Sequence, residues 1–130
     1  MNPWTVLTSI LALLFYFSTG ANVARQRHRH SVLAPAMSGH PAVERALRVQ
    51  GNTLEWLVIF LPSLWMFSSY WSPLVGAAIG LVWVIGRALY MAGYMRDVKG
   101  RAAGFGIQLL ATFVLLLGAA IAAVRALSVS

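Results

Sequence analysis

Three polar side chains interrupt an otherwise apolar stretch of the sequence, and their types suit a binding site. Arg48, Asn52 and Glu55 are spaced four and three residues apart, which places them on one face of a helix. Arginine can bind a carboxylate through two hydrogen bonds, glutamate accepts from cations, and asparagine both donates and accepts. Because charges inside a bilayer are costly, such a set on a membrane-spanning helix indicates a functional site.

A second polar set follows on the next apolar stretch and just beyond it. This set consists of Arg87, Tyr90, Tyr94 and Arg101, whose spacing is compatible with one helical face. Together the two sets indicate a site rather than a scaffold.

The same residues also allow a structural interpretation. Arg48 and Glu55 could link neighbouring helices, and Tyr90 and Tyr94 could anchor a helix at the membrane interface, where tyrosine is enriched. On composition alone, Arg101 is an ordinary residue of a positively charged loop.

The composition of the chain is that of a membrane protein. Of its 130 residues, 59% are hydrophobic and only 10% are charged, whereas a soluble domain carries about 25% charged residues. This length predicts one domain. The net charge of +7 reflects a shortage of acidic residues, and cationic cytoplasmic loops explain it more simply than nucleic-acid binding. The absence of cysteine excludes disulfides, thiolate metal sites and a cysteine nucleophile.

Four apolar stretches carry the polar sets and predict an all-α integral membrane protein, a bundle of four transmembrane helices. They cover residues 3–24, 43–70, 73–94 and 102–127. Each reaches the roughly 20 residues that a helix needs to cross about 30 Å of hydrocarbon. We expect the first stretch to be retained, because a basic cluster follows it rather than preceding it.

The distribution of cations predicts the orientation of the chain in the membrane. Basic residues cluster at 25–48 and at 96–101, whereas the second connection, 68–73, carries no charge. The positive-inside bias therefore places both basic loops in the cytoplasm and both termini on the non-cytoplasmic side, in a bacterial inner membrane or an equivalent endomembrane. An aromatic belt is expected at the outer interface, formed by Trp4, Trp65, Tyr70 and Trp71.

Glu55 and Arg87 are predicted to form an ion pair. Counting about twenty residues inward from the outer end of each span locates the cytoplasmic edge of the hydrocarbon. Measured from that edge, Glu55 lies roughly 6 Å and Arg87 roughly 9 Å inside the hydrocarbon. Opposite charges at similar depths on neighbouring spans favour pairing. We expect this contact within one subunit or between two.

In this order, the two polar sets resemble the motifs of the MAPEG proteins, the membrane-associated proteins in eicosanoid and glutathione metabolism. The matching pattern is Arg48-x-x-x-Asn52-x-x-Glu55, introduced by Glu44-Arg45 and followed by Gly86-Arg87-x-x-Tyr90-x-x-Gly93-Tyr94 and Arg101. The family includes microsomal glutathione transferases, leukotriene synthase and the lipoxygenase-activating protein. The resemblance covers nearly the whole chain. It implies a four-helix protomer in a homotrimer, with glutathione bound between subunits near the cytosolic face.

The resemblance also implies roles for individual residues. It implies that glutathione, the co-substrate, contacts Arg27, Arg48, Asn52, Glu55, Arg87, Tyr90 and Tyr94. Arg101 would be catalytic, because a guanidinium stays protonated and can stabilise a thiolate. His28 stands where the leukotriene synthase has a second catalytic arginine, and Trp56 stands where it has a tyrosine.

The motifs predict a membrane-bound glutathione transferase that directs the thiolate at lipophilic electrophiles, as in detoxification. Reduction of lipid hydroperoxides needs only the same thiolate and is a further expected activity. The expected partners are two further copies of the chain, membrane lipids and a lipophilic electrophile, with neither a metal nor a nucleic acid.

Two other functional classes compete with this prediction. A non-catalytic lipid-binding or scaffold protein, similar to the lipoxygenase-activating protein, would share the fold without the thiol chemistry. A small four-span drug exporter is disfavoured, because it would be expected to carry an essential carboxylate in the first span, and residues 3–24 contain none.

Overall fold

Helices account for almost the entire chain. The computed structural model describes all 130 residues. Its elements are α1 (Pro3–His30), α2 (Pro41–Tyr70), α3 (Pro73–Arg96), a single 3-10 turn (Val98–Arg101) and α4 (Ala102–Ser128). The first three helices start with proline, whose missing N–H would have no partner there. Their preceding residues accept a backbone hydrogen bond as N-caps: Asn2, His40 and Ser72.

The all-α prediction is confirmed, and all four helices are longer than the predicted apolar stretches, by one to six residues. The helices α3 and α4 begin at the predicted residues 73 and 102, but α1 continues to His30 and α3 to Arg96. The last turns of both helices contain basic residues, which interact favourably with the negative end of a helix dipole. Hydropathy therefore marked where the apolar region ends rather than where the helix ends.

The four helices run alternately up and down. Only Trp71 and Ser72 separate α2 from α3, and so short a connection makes these helices antiparallel neighbours. The loops 31–40 and 97–101 consequently lie together at one end of the bundle, with most of the cationic residues. We refer to this as the basic end, and to the end with the 71–72 turn and both termini as the aromatic end.

The four helices differ in how apolar their membrane-length segments are. The helices α1, α3 and α4 are long and apolar enough to cross a membrane, whereas α2 is not apolar enough by composition. Its first half carries the charged residues Glu44, Arg45, Arg48 and Glu55. Although α2 packs against all three other helices, Glu44, Arg48 and Glu55 remain exposed on its surface, and Arg45 is half-buried.

Two features of the core hold α3 in place. Towards the aromatic end, Phe60 of α2 stacks on Trp83 of α3 with ring centroids 4.1 Å apart, and both side chains are fully buried. Towards the basic end, α3 and α4 approach closely at glycines. A Cβ at Gly104 would overlap the backbone of Tyr90, and one at Gly86 would lie 2.9 Å from the backbone nitrogen of residue 108. Small residues at such contacts let helix backbones come close together.

Candidate functional site

A polar cavity of about 680 Å³ lies at the basic end, between α2, α3 and the start of α4. We call it the site cavity. Five of its lining residues belong to the predicted site and three come from the beginning of α4: Arg48, Asn52, Tyr90, Tyr94, Arg101, Ala102, Phe105 and Gly106. Its polar groups are therefore guanidinium, amide and phenol groups.

The helices position these side chains in pairs. Arg48 and Asn52 are one turn apart on α2, and Tyr90 and Tyr94 are one turn apart on α3. The two tyrosine rings have centroids 5.5 Å apart, and the ring of Phe105 lies 6.1 Å from that of Tyr90. Because Gly104 brings α4 directly against Tyr90, the residues around it, Ala102, Phe105 and Gly106, form the third wall of the site cavity.

Arg101 lies at the junction between the 3-10 turn and α4. The prediction that it shares one helical face with the α3 residues of its set is therefore wrong, because α3 ends at Arg96. Its guanidinium carbon is 5.7 Å from the centroid of the Tyr94 ring, a distance compatible with a cation–π contact. Tyr94 therefore holds this cation at the rim of the site cavity, although the Arg101 side chain is itself exposed.

A second, smaller cavity of about 340 Å³ adjoins the site cavity and shares Arg48 and Tyr94 with it. Glu44 and Arg45 also line it. From the sequence alone, these two residues marked only the start of the α2 motif and were not assigned to the site. Their spacing of four and three residues before Arg48 would have placed them on the same helical face. A ligand longer than the site cavity would meet the carboxylate of Glu44 and one additional cation, Arg45, here.

Arg87 lies beneath the site cavity rather than on its surface. Its side chain is fully buried. Nη1 donates to the Oδ1 atom of Asn52 at 2.9 Å, and Nη2 donates to the Oγ1 atom of Thr53 at 2.6 Å. The guanidinium carbon is 4.2 Å from the centroid of the Tyr90 ring. The sequence set had missed Thr53, whose position next to Asn52 was its only signal.

The predicted pairing of Glu55 with Arg87 is wrong within the protomer. The partners of Arg87 are two neutral side chains of α2, and Glu55 lies exposed on the outside of the bundle. A helix turns by about 200° between residues 53 and 55. Once Thr53 faces α3, Glu55 must point away from it. A pairing between subunits stays a prediction.

Arg27 also lies outside the site cavity. Its Nη1 atom donates to the carbonyl oxygen of Ala36 at 2.6 Å, which ties the end of α1 to the following loop. His28 is exposed nearby. Trp56 packs edge-on against Phe105 with ring centroids 5.5 Å apart. The contacts of Arg27, Glu55 and Arg87 with glutathione are therefore not formed by the site cavity of a single protomer.

Comparison with known proteins identifies one family across the bundle. The model of the MAPEG family matches residues 5–121. An uncharacterised protein of Synechocystis sp. is 42% identical over 116 residues, which cover 89% of this chain and 85% of that protein.

Two relatives with named activities are also similar to this chain. Microsomal glutathione S-transferase 2 of Homo sapiens is 38% identical over 98 residues, or 75% of this chain and 67% of that protein. Leukotriene C4 synthase of Cavia porcellus is 36% identical over 99 residues, or 76% of this chain and 65% of that protein. The chain thus spans about two thirds of the length of these two relatives.

Proposed function

The chain belongs to the MAPEG family of integral membrane proteins, and on that premise we propose that it is a glutathione transferase. Two relatives are named as a glutathione S-transferase and a leukotriene C4 synthase, which supports a glutathione-related function. The observation that carries the proposal is the meeting of Arg48, Asn52, Tyr90, Tyr94 and Arg101 in one cavity.

The site cavity suits a small zwitterionic peptide. Its volume of about 680 Å³ lies within the range of about 300–1,000 Å³ that is usual for small-molecule sites. The guanidinium of Arg48 can bind a carboxylate of glutathione through two hydrogen bonds, and Asn52 can bind a further polar group. The adjoining cavity supplies Glu44, a carboxylate that suits an ammonium group.

Arg101 is the residue to which we assign activation of the thiol. A free thiol has a pKa of about 8.5 and is mostly protonated at neutral pH, whereas the thiolate is the nucleophile. A guanidinium stays protonated and cannot accept the proton, which leaves to water. It stabilises the remaining anion, and each unit by which the thiol pKa falls represents about 1.4 kcal/mol. The thiolate then forms a bond to the electrophilic carbon of the acceptor, whose leaving group departs with its electron pair.

The acceptor is proposed to enter from the bilayer along the beginning of α4. This wall of the site cavity is formed by Ala102, Phe105 and Gly106, which offer apolar contacts and little steric obstruction. A lipophilic electrophile is concentrated in the membrane, so this route delivers it to the sulfur without passage through water. A lipid hydroperoxide could use the same route.

A homotrimer would complete the site. Glu55 lies exposed on α2, and Arg27 lies at the end of α1, and neither reaches the site cavity of its own protomer. A carboxylate on a membrane helix needs a polar or charged partner. We therefore propose that glutathione binds between subunits, where these residues can reach it. By the positive-inside bias, the basic end faces the cytoplasm.

Titration with glutathione and spectroscopic detection of the thiolate tests this function. The wild-type trimer in mild detergent is expected to bind glutathione and to show the ultraviolet absorbance of its thiolate. Arg101→Ala is expected to bind glutathione within roughly tenfold of wild type, or about 1.4 kcal/mol, but to lose this absorbance. Arg96→Ala is the matched control, because it removes an equally exposed cation that lines neither cavity.

Two outcomes would decide against the proposal. Absence of glutathione binding to the wild-type trimer would refute it. Binding without any thiolate signal would instead favour a non-catalytic lipid-binding or scaffold protein.

A further inference from the structure

The buried cluster beneath the site cavity has no part in the thiol chemistry, yet it touches a residue that does line the cavity. Arg87 of α3 contacts Asn52 and Thr53 of α2 through its two terminal nitrogens. Both Arg87 and Thr53 are fully buried, so neither side chain can reach a ligand. Any effect of these two residues on binding must therefore pass through Asn52 or Tyr90.

The contact with Arg87 determines which end of the Asn52 amide faces the site cavity. A guanidinium carries only hydrogen-bond donors, so the Asn52 atom that it contacts must be the acceptor, Oδ1. The amide nitrogen of Asn52 is left without a hydrogen-bond partner in the chain, and it is not a buried atom. Asn52 therefore offers a donor to whatever occupies the site cavity.

Thr53 and Tyr90 hold Arg87 in this orientation. The hydroxyl of Thr53 donates to the carbonyl oxygen of Val49 at 2.6 Å and accepts from Arg87 Nη2 at 2.6 Å. Donating its single proton to Val49 leaves its oxygen free to accept from Arg87. The Tyr90 ring covers the guanidinium at 4.2 Å. Because the Arg87 charge has only neutral partners, its positive potential also extends to the cavity above it.

We propose that Arg87 and Thr53 are positioning residues, which hold Asn52 so that it donates a hydrogen bond to one carboxylate of glutathione. This inference rests on the proposed function. A fixed amide N–H above a buried cation favours an anionic acceptor over a neutral one. If the Asn52 amide could turn over, it would present its oxygen and repel the same carboxylate.

Substitutions at Thr53 test this inference without touching the cavity surface. Thr53→Val keeps the shape of the side chain but removes the acceptor for Arg87, whereas Thr53→Ser keeps the hydroxyl. Thr112→Val is the matched control, because Thr112 is equally buried and its hydroxyl donates only within α4, to the carbonyl oxygen of Gln108.

The informative measurement is discrimination between ligands. The probes are glutathione and two analogues, each with a different carboxylate converted to an amide. Wild type is expected to bind one of these analogues about tenfold more weakly than glutathione, the size of one hydrogen bond to a charged group. Thr53→Val should bind glutathione about tenfold more weakly and lose the discrimination, whereas Thr53→Ser and Thr112→Val should retain both. The KM for the lipophilic acceptor should not change, since the orientation of Asn52 affects glutathione binding alone.

Asn52→Asp provides an independent variant in case Thr53→Val fails to fold. An aspartate would pair with Arg87 and so preserve the link between α2 and α3, but it could no longer donate to a carboxylate. It should form the trimer and bind glutathione at least tenfold more weakly than wild type.

The inference is overturned if folded Thr53→Val discriminates between the analogues as wild type does, or if Thr112→Val loses as much affinity as Thr53→Val. It is also overturned if Asn52→Asp binds glutathione normally. Each of these results leaves the proposed function intact, because wild type still binds glutathione. Failure of wild type to bind glutathione refutes both proposals.

Discussion

The two halves of α2 belong to one continuous helix but serve opposite purposes. The half at the basic end carries Glu44, Arg45, Arg48 and Glu55, and it forms one wall of the site cavity. The half at the aromatic end carries no charge and buries Phe60 and Leu64 in the core. Helix geometry is the same in both, so the difference lies in side-chain chemistry. One half of α2 therefore packs into the apolar core, and the other half lines a polar cavity.

The cavities at the two ends show the same contrast. At the aromatic end, a cavity of about 310 Å³ between α1 and α3 is lined almost entirely by apolar side chains, among them Leu7, Leu11 and Leu81. It offers few groups that could orient a polar ligand. The site cavity is roughly twice as large and brings together two guanidinium groups, an amide and two phenols. These two cavities therefore differ both in size and in the number of polar groups that line them.

The largest expected effect is the loss of the folded bundle, which would remove the contrast between its two ends. Gly104→Val would force a side chain into the backbone of Tyr90, so it should separate α3 from α4 and abolish the folded protein, or lower its stability by several kcal/mol, as overpacking does. Gly106→Val is the control two residues away, because nothing lies within 4 Å of its added Cβ. Thermal unfolding in detergent compares them. Equal melting temperatures would show that the close approach at Gly104 is unimportant.

The next largest expected effect is a loss of stability without a change in glutathione affinity. Phe60→Ala removes a fully buried ring from its stack on Trp83 and should cost about 3–5 kcal/mol of unfolding free energy. Val58→Ala, on the exposed side of the same half-helix, should cost far less. Glutathione affinity, measured on the folded fraction, should match wild type in both variants. A specific loss of affinity in Phe60→Ala would show that the two halves of α2 are coupled.

A third substitution should do the reverse, changing recognition with little effect on stability. Arg48 is exposed at the site cavity, so Arg48→Ala should weaken glutathione binding about tenfold or more through loss of a charged hydrogen bond. Arg125→Ala removes a cation at the aromatic end, where Arg125 lies over the ring of Trp71, and should leave affinity unchanged. Isothermal titration of both variants gives the comparison. Similar losses would mean that net charge, rather than position, controls binding.

The smallest expected effect concerns the loop at the basic end. The rings of His30 and His40 stack with centroids 3.5 Å apart, and His40 Nδ1 accepts from the backbone nitrogen of Ala42 as the N-cap of α2. Packing of the His30 ring lowers its pKa, and the charges of His40 and Arg29 lower it further. Neutral His30 therefore favours the folded state, and this contribution is complete above the usual pKa of about 6.5 and is lost as the pH falls below it.

The pH dependence of thermal unfolding measures this effect. Wild type should melt at a slightly lower temperature at pH 5 than at pH 8. His30→Phe keeps the stacked ring without its titration and should reduce this difference, whereas His28→Phe, at an exposed position two residues earlier, should not. A difference that persists unchanged in His30→Phe would assign it to other groups.

Helix content and polar faces were predictable from the sequence because both depend on local spacing. The interval of four residues between Arg48 and Asn52, and between Tyr90 and Tyr94, places each pair on one helical face in any helical bundle. The run of apolar residues likewise requires helices whose backbone groups are satisfied internally. The meeting of these pairs with Arg101 was inferred from the family motif, and the cavity that they line is consistent with it.

The partner of Arg87 was not predictable in this way. Charge and membrane depth favoured Glu55, but the rotation of α2 about its axis turns Asn52 and Thr53 towards α3 instead. Membrane depth can be counted along the chain. The rotation of α2 depends instead on how the helices pack, which includes the glycine contacts between α3 and α4 and the Phe60–Trp83 stack. The Thr53 hydroxyl and the Asn52 amide were therefore not predicted as the partners of Arg87, and the carboxylate of Glu55 was predicted instead.

By itself, the sequence determined a membrane-embedded helical chain whose chemistry is confined to one end, because hydropathy and residue spacing are properties of the chain alone. Only the tertiary structure decided which polar groups are exposed to a ligand and which are buried behind them. Burial of Arg87 and exposure of Glu55 follow from the orientation of each helix, which is set by side-chain packing across the whole bundle.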